Sequence, residues 1–241
     1  MIAHRSPISG IAAFRDDYVA TAAYDSQVIL WDAKTRVAIS RARHDHLANH
    51  CAFSPDGTLL LTGSSDYSTR IWSVPDLRLL CVMHHGDDVE RVCWSPDGQL
   101  VATASRDRSA RIFRRDGTLV HHLTGHAVDC VFVEFSSDGR ELISNSDDGD
   151  IRRWDVASGE LLARVTVGEV QMDTIAIGPD EVLYAGNDAG EILAVNGSAV
   201  VTNEGHALGV KCLVAYSSPT CLRTPFATIR LKSSGRFRAR L

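Results

Sequence analysis

The segment "LTGSSDYSTRIWS", residues 61–73, contains a run of small residues, then an aspartate and, six positions later, a tryptophan. A segment of the same build follows 41 residues later as "ATASRDRSARIFR", residues 102–114. Three further copies are "ATAAYDSQVILWD" at 20–32, "ISNSDDGDIRRWD" at 143–155 and, more weakly, "LYAGNDAGEILAV" at 183–195. Repetition at a fixed period of roughly 20–50 residues indicates a repeat architecture, so these segments decide the fold.

One period has the pattern of four short antiparallel strands. Within residues 85–124, "VERVCWS" and "QLVATAS" are apolar runs separated by the turn "PDG", "SARIFR" alternates apolar and polar residues, and "DG" precedes "TLVHHLT". Proline and glycine suit tight turns, and short alternating runs between turns favour strands. We find no segment with helical periodicity that could connect parallel strands, so the sequence predicts an all-β protein with antiparallel sheets.

The bulk composition excludes several classes of protein. The chain has 241 residues, is 44% hydrophobic and carries a net charge of −5, which favours a packed core and argues against general attraction to nucleic acid or acidic lipid. The N-terminus lacks a signal-peptide pattern, and no apolar run is long enough for a membrane helix. Six cysteines without a CxxC motif favour free thiols in a reducing compartment. We expect a cytoplasmic protein that does not enter membranes.

Several recurring markers carry a resemblance to a known family. They are the pairs Trp31-Asp32 and Trp154-Asp155, the pairs Gly125-His126 and Gly205-His206, and the "SPDG" turns at 54–57 and 95–98. With these markers the chain resembles the WD40 repeat family. The resemblance implies a WD40-type β-propeller of four-stranded antiparallel blades, with five recognisable blades and an incomplete sixth.

The repeats define an expected domain organisation. We assign the WD40 repeats to residues 1–204, divided approximately at 4–45, 46–84, 85–125, 126–167 and 168–204, followed by the start of a sixth repeat at 205–217 and a basic non-repeat tail at 218–241. Residues 205–241 contain seven Lys or Arg and no acidic residue. The break inside a repeat favours a truncated chain or a shifted reading frame, with a genuine basic tail as the alternative. We therefore expect an open or truncated ring whose exposed edge strands favour self-association.

Each good repeat contains a His, a Ser or Thr, an Asp and a Trp, which the resemblance assigns to an internal hydrogen-bond network. The expected network residues are His4, Thr21, Asp25, Trp31, His46, Thr62, Asp66, Trp72, His85, Thr103, Asp107, His126, Ser144, Asp148 and Trp154. Ser, His and Asp also form catalytic triads. An enzyme, however, needs its nucleophile once and not in every blade, so we interpret these residues as structural and predict no catalytic residue and no cofactor.

Departures from the pattern mark unusual blades. Phe113 replaces the tryptophan of blade three and has no N–H to donate, and Tyr184 and Ala194 replace the expected residues of blade five. Arg153 of blade four stands where other blades have Leu or Ile, so we expect it to reach an acidic partner or an edge.

The segment "RHDHLANH" provides His44, His46 and His50, which could bind a metal ion. Because His46 is assigned to the network and the three rings are divided between a loop and a strand, we predict no metal site.

In WD40 proteins, partners commonly contact the face formed by the loops before the first strands and the turns between second and third strands. Aromatic and arginine residues there are good interface anchors. The candidate partner-binding residues are Tyr24, Tyr67, Arg106, Arg108, Asn49, Glu90 and Phe132. The alternative is that they are ordinary solvated turn residues.

The resemblance favours a non-catalytic interaction scaffold that docks a protein or peptide partner. The alternative is a severed sensor or regulatory propeller of a larger signalling protein. Nucleic-acid binding through the basic tail is a third and less favoured interpretation, because the remainder of the chain is acidic.

Overall fold

The computed structural model describes residues 3–167, 172–178, 182–187, 189–196, 199–204, 213–216 and 228–231. Within these ranges the chain forms β-strands joined by turns and contains no helix. The expected all-β class with four-stranded antiparallel blades is therefore confirmed.

Twelve strands form the sheets of the first three blades. They are β1 (Ile8–Phe14), β2 (Tyr18–Ala23), β3 (Gln27–Asp32), β4 (Ala38–Arg43), β5 (Ala48–Phe53), β6 (Leu59–Ser64), β7 (Ser68–Ser73), β8 (Leu79–His84), β9 (Val89–Trp94), β10 (Leu100–Ser105), β11 (Ser109–Arg114) and β12 (Leu119–Leu123). In each blade the sheet order follows the chain order, and all neighbouring strands are antiparallel. The first strand of each blade is therefore one edge of its sheet and the fourth strand the other; we call them the inner and the outer strand of the blade.

The next two sheets have the same order. Their strands are β13 (Cys130–Phe135), β14 (Glu141–Ser146), β15 (Asp150–Asp155), β16 (Leu161–Thr166), β17 (Met172–Ile177), β18 (Leu183–Asn187), β19 (Glu191–Asn196) and β20 (Ala199–Glu204). A further pair, β21 (Leu213–Tyr216) and β22 (Thr228–Leu231), forms a two-stranded antiparallel sheet. Most of the predicted sixth repeat and tail lies outside the described residues, so their boundaries stay a prediction.

The chain divides into two compact units, one of Met1–Ser144 with Arg152–Ala163 and one of Asn145–Ile151 with Arg164–Leu241. The sheets of blades one, two and three lie in the first unit, and that of blade five lies in the second.

The "SPDG" turns fold through local hydrogen bonds. In blade two, Ser54 Oγ donates to Asp56 Oδ1 at 2.6 Å and accepts from the backbone N–H of Leu59 at 3.0 Å. Gly57 follows with a φ of 72°, and a Cβ there would lie 2.2 Å from the ring of Phe14. Only glycine fits this conformation and this close approach, which explains the turn sequence.

The core of the first unit is built between blades. Ala20, Val28 and Leu30 of blade one share a cluster of buried residues with Cys51 and Leu60 of blade two. The next cluster joins blades two and three in the same way, and a third joins blade three to buried residues of β13 and β14. Within the first unit, neighbouring blades thus bury apolar side chains against each other, as expected for a repeat protein.

Bulges near the start of the inner strands position polar side chains. The pairing of β5 with β6 skips Asn49, and the pairing of β9 with β10 skips Glu90, so each is an extra residue in its strand. Both residues therefore lie within strands and not in the loops before them, where we had expected them.

Candidate partner-binding face

The turns between second and third strands lie beside the segments that precede the first strands. The backbone N–H of Tyr24 donates to Pro7 O at 3.0 Å, that of Ser65 to Leu47 O at 2.9 Å, and that of Arg106 to Asp88 O at 2.9 Å. We call the surface formed by turns 24–26, 65–67 and 106–108 and these preceding segments the loop face. It belongs entirely to the first unit.

In blade one, the four network residues hold this face together. Trp31 Nε1 donates to Thr21 Oγ1 at 2.8 Å, and Thr21 Oγ1 lies 2.7 Å from His4 Nε2. The other ring nitrogen of His4, Nδ1, is 3.0 Å from Asp25 Oδ1. Asp25 also accepts from the backbone N–H of Arg5 at 2.7 Å. The chain of bonds therefore connects the partly buried Trp31 to both the turn and the preceding loop.

Blade two contains the same network, but with a different histidine from the one we predicted. His44 Nδ1 lies 2.9 Å from Asp66 Oδ2, and His44 Nε2 lies 2.8 Å from Thr62 Oγ1, which accepts from Trp72 Nε1 at 2.8 Å. His46 is exposed, so its assignment to the network was wrong. With both nitrogens engaged, His44 is also unsuited to the metal site considered above.

The spacing of the repeat contained the signal for His44. The histidine precedes the repeat aspartate by 22 residues in blades three and four, and by 21 in blade one. His44 precedes Asp66 by 22 residues, whereas His46 precedes it by 20.

Burial and hydrogen bonding set the ionisation of this pair. Burial lowers the pKa of His44 despite the opposing effect of Asp66, so the ring is neutral and its Nδ1–H faces the carboxylate. Burial alone would raise the pKa of Asp66, but hydrogen bonds from His44 and Ser68 hold it well below its usual value. The arrangement is a neutral donor beside an ionised acceptor, which fixes the turn without requiring reactivity.

Arginine side chains reinforce the network in blades two and three. Arg70 Nη2 donates to Asp66 Oδ2 at 2.9 Å and to Asp45 Oδ2 at 2.6 Å, and its Nη1 donates to Arg43 O at 3.0 Å. Arg111 Nη2 donates to Asp107 Oδ2 at 2.7 Å in the same position of blade three. These arginines are thus structural members of the repeat.

In blade three the expected network is broken. Thr103 is fully buried, its Oγ1 has no hydrogen-bond partner, and Phe113 offers no N–H. His85 was predicted to join Thr103, but its Nε2 lies 3.2 Å from Thr69 Oγ1 of blade two and its Nδ1 contacts Arg111 Nη1. The prediction for His85 and Thr103 was therefore wrong, because the missing tryptophan leaves the threonine without its usual donor.

In blade four, Trp154 Nε1 donates to Ser144 Oγ at 2.8 Å, and His126 Nε2 lies 2.8 Å from the same oxygen. Asp148, described within the second unit, accepts from the backbone N–H of Asp150 at 3.0 Å and from the hydroxyl of Ser146. Arg153 Nε donates to Glu141 Oε2 at 2.6 Å, so the expected acidic partner is present.

Two tyrosines are the prominent exposed side chains of the loop face. Tyr24 is 49% and Tyr67 47% exposed, and each belongs to a turn that the blade network holds. Tyr67 has a φ of 63° and Arg108 one of 67°, a left-handed conformation that is costly for residues other than glycine. The turns are therefore tightly defined, and their side chains project from a rigid backbone.

Arg108 is exposed, whereas Arg106, Glu90 and Asn49 have internal contacts. Arg106 is held by Glu90, whose Oε1 accepts from Arg106 Nε, and Asp129 Oδ2 lies 3.8 Å from its Nη1. Asn49 Nδ2 donates to Ser65 Oγ at 3.0 Å and to Val89 O at 3.1 Å, which joins blades two and three. The sequence analysis did not identify Asp129 as a partner of Arg106, although Asp129 lies only three positions before the candidate Phe132.

Phe132 does not contribute to an exposed surface. It is 1% exposed, lies in β13, and carries the guanidinium of Arg91 over its ring at 4.2 Å. Its assignment as a partner-binding residue was wrong, because the residue falls inside a strand and packs inward. Arg91 in turn lies 3.5 Å from Glu134 Oε2, a pair that the sequence did not indicate.

The described part of the chain shows neither a membrane-spanning helix nor a cluster of metal ligands. No helix there is long and apolar enough to cross a membrane. No group of three or more His, Cys, Asp or Glu side chains among these residues is placed to hold a metal ion.

Segments of this chain are similar to a known family and to known proteins. The profile "WD domain, G-beta repeat" matches residues 1–32, 40–73, 78–114 and 117–155, which is more than half of the chain. F-box/WD repeat-containing protein 5 of Rattus norvegicus is 36% identical over 70 residues, which are 28% of this chain and 12% of that protein. The Homo sapiens protein of the same name is 37% identical over 60 residues, covering 24% and 11% respectively. Nuclear distribution protein PAC1 of Arthroderma benhamiae is 30% identical over 74 residues, covering 29% and 16%.

Proposed function

Because the chain belongs to the WD40 repeat family, whose members are generally scaffolds without catalytic activity, we propose that it docks a protein or peptide partner on its loop face. The relatives support the coarser statement, since they are named for WD repeats or nuclear distribution and not for an enzyme activity. The chain matches only a small part of each relative, so neither name identifies the partner.

One observation carries the proposal. In blades one and two, a buried network ties each turn to the loop beside it, while Tyr24 and Tyr67 of these turns remain about half exposed. A rigid backbone lowers the entropy that a partner must overcome, and aromatic side chains provide contact area at low conformational cost. The combination favours recognition by preformed turns.

The proposal is tested with a double variant, Tyr24→Ala with Tyr67→Ala. Proteins captured from a cell extract by the wild type and by the variant are compared by quantitative mass spectrometry. The matched control is Leu79→Ala with Leu80→Ala, which removes two exposed apolar side chains from the outer strand β8. We expect the tyrosine variant to lose specific partners that the control retains. Identical capture by all three proteins would contradict the proposal.

A regulatory propeller within a larger protein is the second candidate. It is favoured by the size of the relatives, because the matched segments cover only 10–16% of their length. The nucleic-acid interpretation gains no support from the loop face, since Glu90 and Asp129 already accompany Arg106. Residues 218–227 and 232–241 of the basic tail lie outside the described part of the chain.

We also propose a cytoplasmic location. Cys51, Cys93 and Cys130 are buried free thiols, which supports a reducing compartment.

A further inference from the structure

The innermost strand of blade one exposes apolar side chains that its counterparts bury. Ile8 is 49% and Ile11 66% exposed, although both lie in β1. The pairing registers identify their equivalents: Ile11 lies opposite Thr21, as Cys51 lies opposite Thr62 and Val92 opposite Thr103. Cys51 and Val92 are buried. The exposure of Ile11 is therefore a property of blade one and not of this strand position.

The position of Ile8 shows the same contrast. Ile8, Ala48 and Val89 each precede the register shift at the start of an inner strand, and Ala48 and Val89 are completely buried. A Cβ added to Gly63 would lie 2.9 Å from Val89 and 3.1 Å from Val92, so these two side chains point to the same side of their sheet. By equivalence, Ile8 and Ile11 share one side of β1, which we call the front face of blade one.

In the other blades of the first unit, a sheet of the same chain covers this face. Val89 and Val92 pack against blade two, and Cys51 Sγ lies 3.6 Å from Ala20 O of blade one. The front face of blade one thus continues an interface type that this chain forms repeatedly, but with its apolar side chains open to solvent. Exposed apolar surface on a sheet favours association.

The strand is also self-complementary in charge. The sequence "ISGIAAF" of β1 contains no charged residue, so two such faces can approach without burying a charge. Arg5 precedes the strand and Asp16 follows it, and both are exposed. Two strands arranged antiparallel across a two-fold axis would place the Arg5 end of one beside the Asp16 end of the other. Arg15, at the same end as Asp16, lies over the ring of Phe14 at 4.9 Å.

We propose that the front face of blade one is an isologous interface with a second copy of this chain, in which Ile8 and Ile11 of the two copies pack against each other across a two-fold axis. An isologous contact uses the same patch on both copies and closes at the dimer. It differs from pairing of exposed strand edges, since the sheet faces pack through side chains and form no backbone ladder.

Sedimentation equilibrium of the full chain over a concentration series tests the proposal. We expect a monomer–dimer equilibrium for the wild type and a dissociation constant more than about tenfold higher for Ile8→Ser with Ile11→Ser, because two apolar side chains per copy are lost. The matched control is Leu161→Ser with Leu162→Ser, which alters a pair that is 47% and 53% exposed on β16. The control should dimerise like the wild type. All four side chains are exposed, and circular dichroism verifies that the variants fold.

A second variant tests the symmetry. Ile11 lies near the middle of β1, and in an antiparallel two-fold contact the middle residue is closest to its own counterpart. Packed sheet faces lie about 10 Å apart, so Ile11→Cys should be cross-linked to a dimer by a short bifunctional maleimide reagent. Ile39→Cys on β4 should give only the background of the native cysteines. A monomeric wild type, association that the Ile8 and Ile11 changes leave intact, or growth beyond the dimer would overturn the proposal. These readouts do not involve Tyr24 or Tyr67, so they are independent of partner docking on the loop face.

Discussion

At the scale of single residues, Thr62 and Thr103 occupy the same position in neighbouring blades but have different surroundings. Both are completely buried. Thr62 Oγ1 accepts from Trp72 and contacts His44, whereas Thr103 Oγ1 has no hydrogen-bond partner. A buried hydroxyl without a partner retains its desolvation cost and gains nothing in return. The same residue type therefore stabilises blade two and costs free energy in blade three.

Replacing each threonine by valine measures how much its hydroxyl group contributes to stability. We expect Thr62→Val to lower the free energy of unfolding by about 2 kcal/mol, because it leaves the buried N–H of Trp72 without its acceptor. Thr103→Val should lower it by less than about 0.5 kcal/mol or raise it, since no bond is lost. Urea unfolding of the two variants gives the difference, provided that the free energy of unfolding depends on urea concentration with the same slope in both. Equal losses in both variants would show that Thr103 has a partner in solution.

At the scale of elements, the 41-residue period was enough to predict the strands and turns. Proline and glycine mark the "SPDG" turns, and alternation marks the strands, so local chemistry is written directly in the sequence. The side-chain directions of the inner strands were harder to predict. Asn49 and Glu90 are extra residues at bulges, and a bulge changes the alternation that a sequence pattern would use. Phe132, which we expected in a loop, lies within β13 and is buried.

In blade two, the spacing and composition of the repeat predict most of the hydrogen-bond network. The residue types and their approximate positions were predictable, but two histidines stand within three positions, and burial decides between them. His44→Ala should lower the free energy of unfolding by about 2 kcal/mol, because Asp66 and Thr62 lose a buried partner. His46→Ala, at an exposed ring, is the control and should leave the melting temperature unchanged within error. The assignment of His44 to the network would be wrong if His46→Ala were the more destabilising of the two.

At the scale of the whole molecule, the buried rings make folding stability depend on pH. Burial, followed by the nearby guanidinium of Arg91, lowers the pKa of His50 from 6.5 to about 3. Burial, followed by Arg111, lowers the pKa of His85 to about 3. Between 6.5 and about 3 the unfolded chain binds protons at these rings that the folded protein does not bind. Each uptake favours unfolding, so the free energy of unfolding falls as the pH falls through this window.

The pH dependence of stability is measured as the change of the urea midpoint with pH. Each such ring contributes about 1.4 kcal/mol per pH unit well below its ordinary pKa, so we expect the urea midpoint of the wild type to fall steadily from about pH 7 to about pH 5. His85→Gln removes one titrating ring and retains a polar side chain toward Thr69, and it should reduce the slope. His46→Gln makes the same change at an exposed ring and should keep the wild-type slope.

The decline in this pH range is assigned to histidine and not to Asp66. Bonds from His44 and Ser68 hold the pKa of Asp66 below 3.8, so its contribution to the free energy of unfolding is lost only at lower pH. A midpoint that is constant from about pH 7 to about pH 5 would mean that the rings of His50 and His85 are protonated in the folded protein, or reach water there.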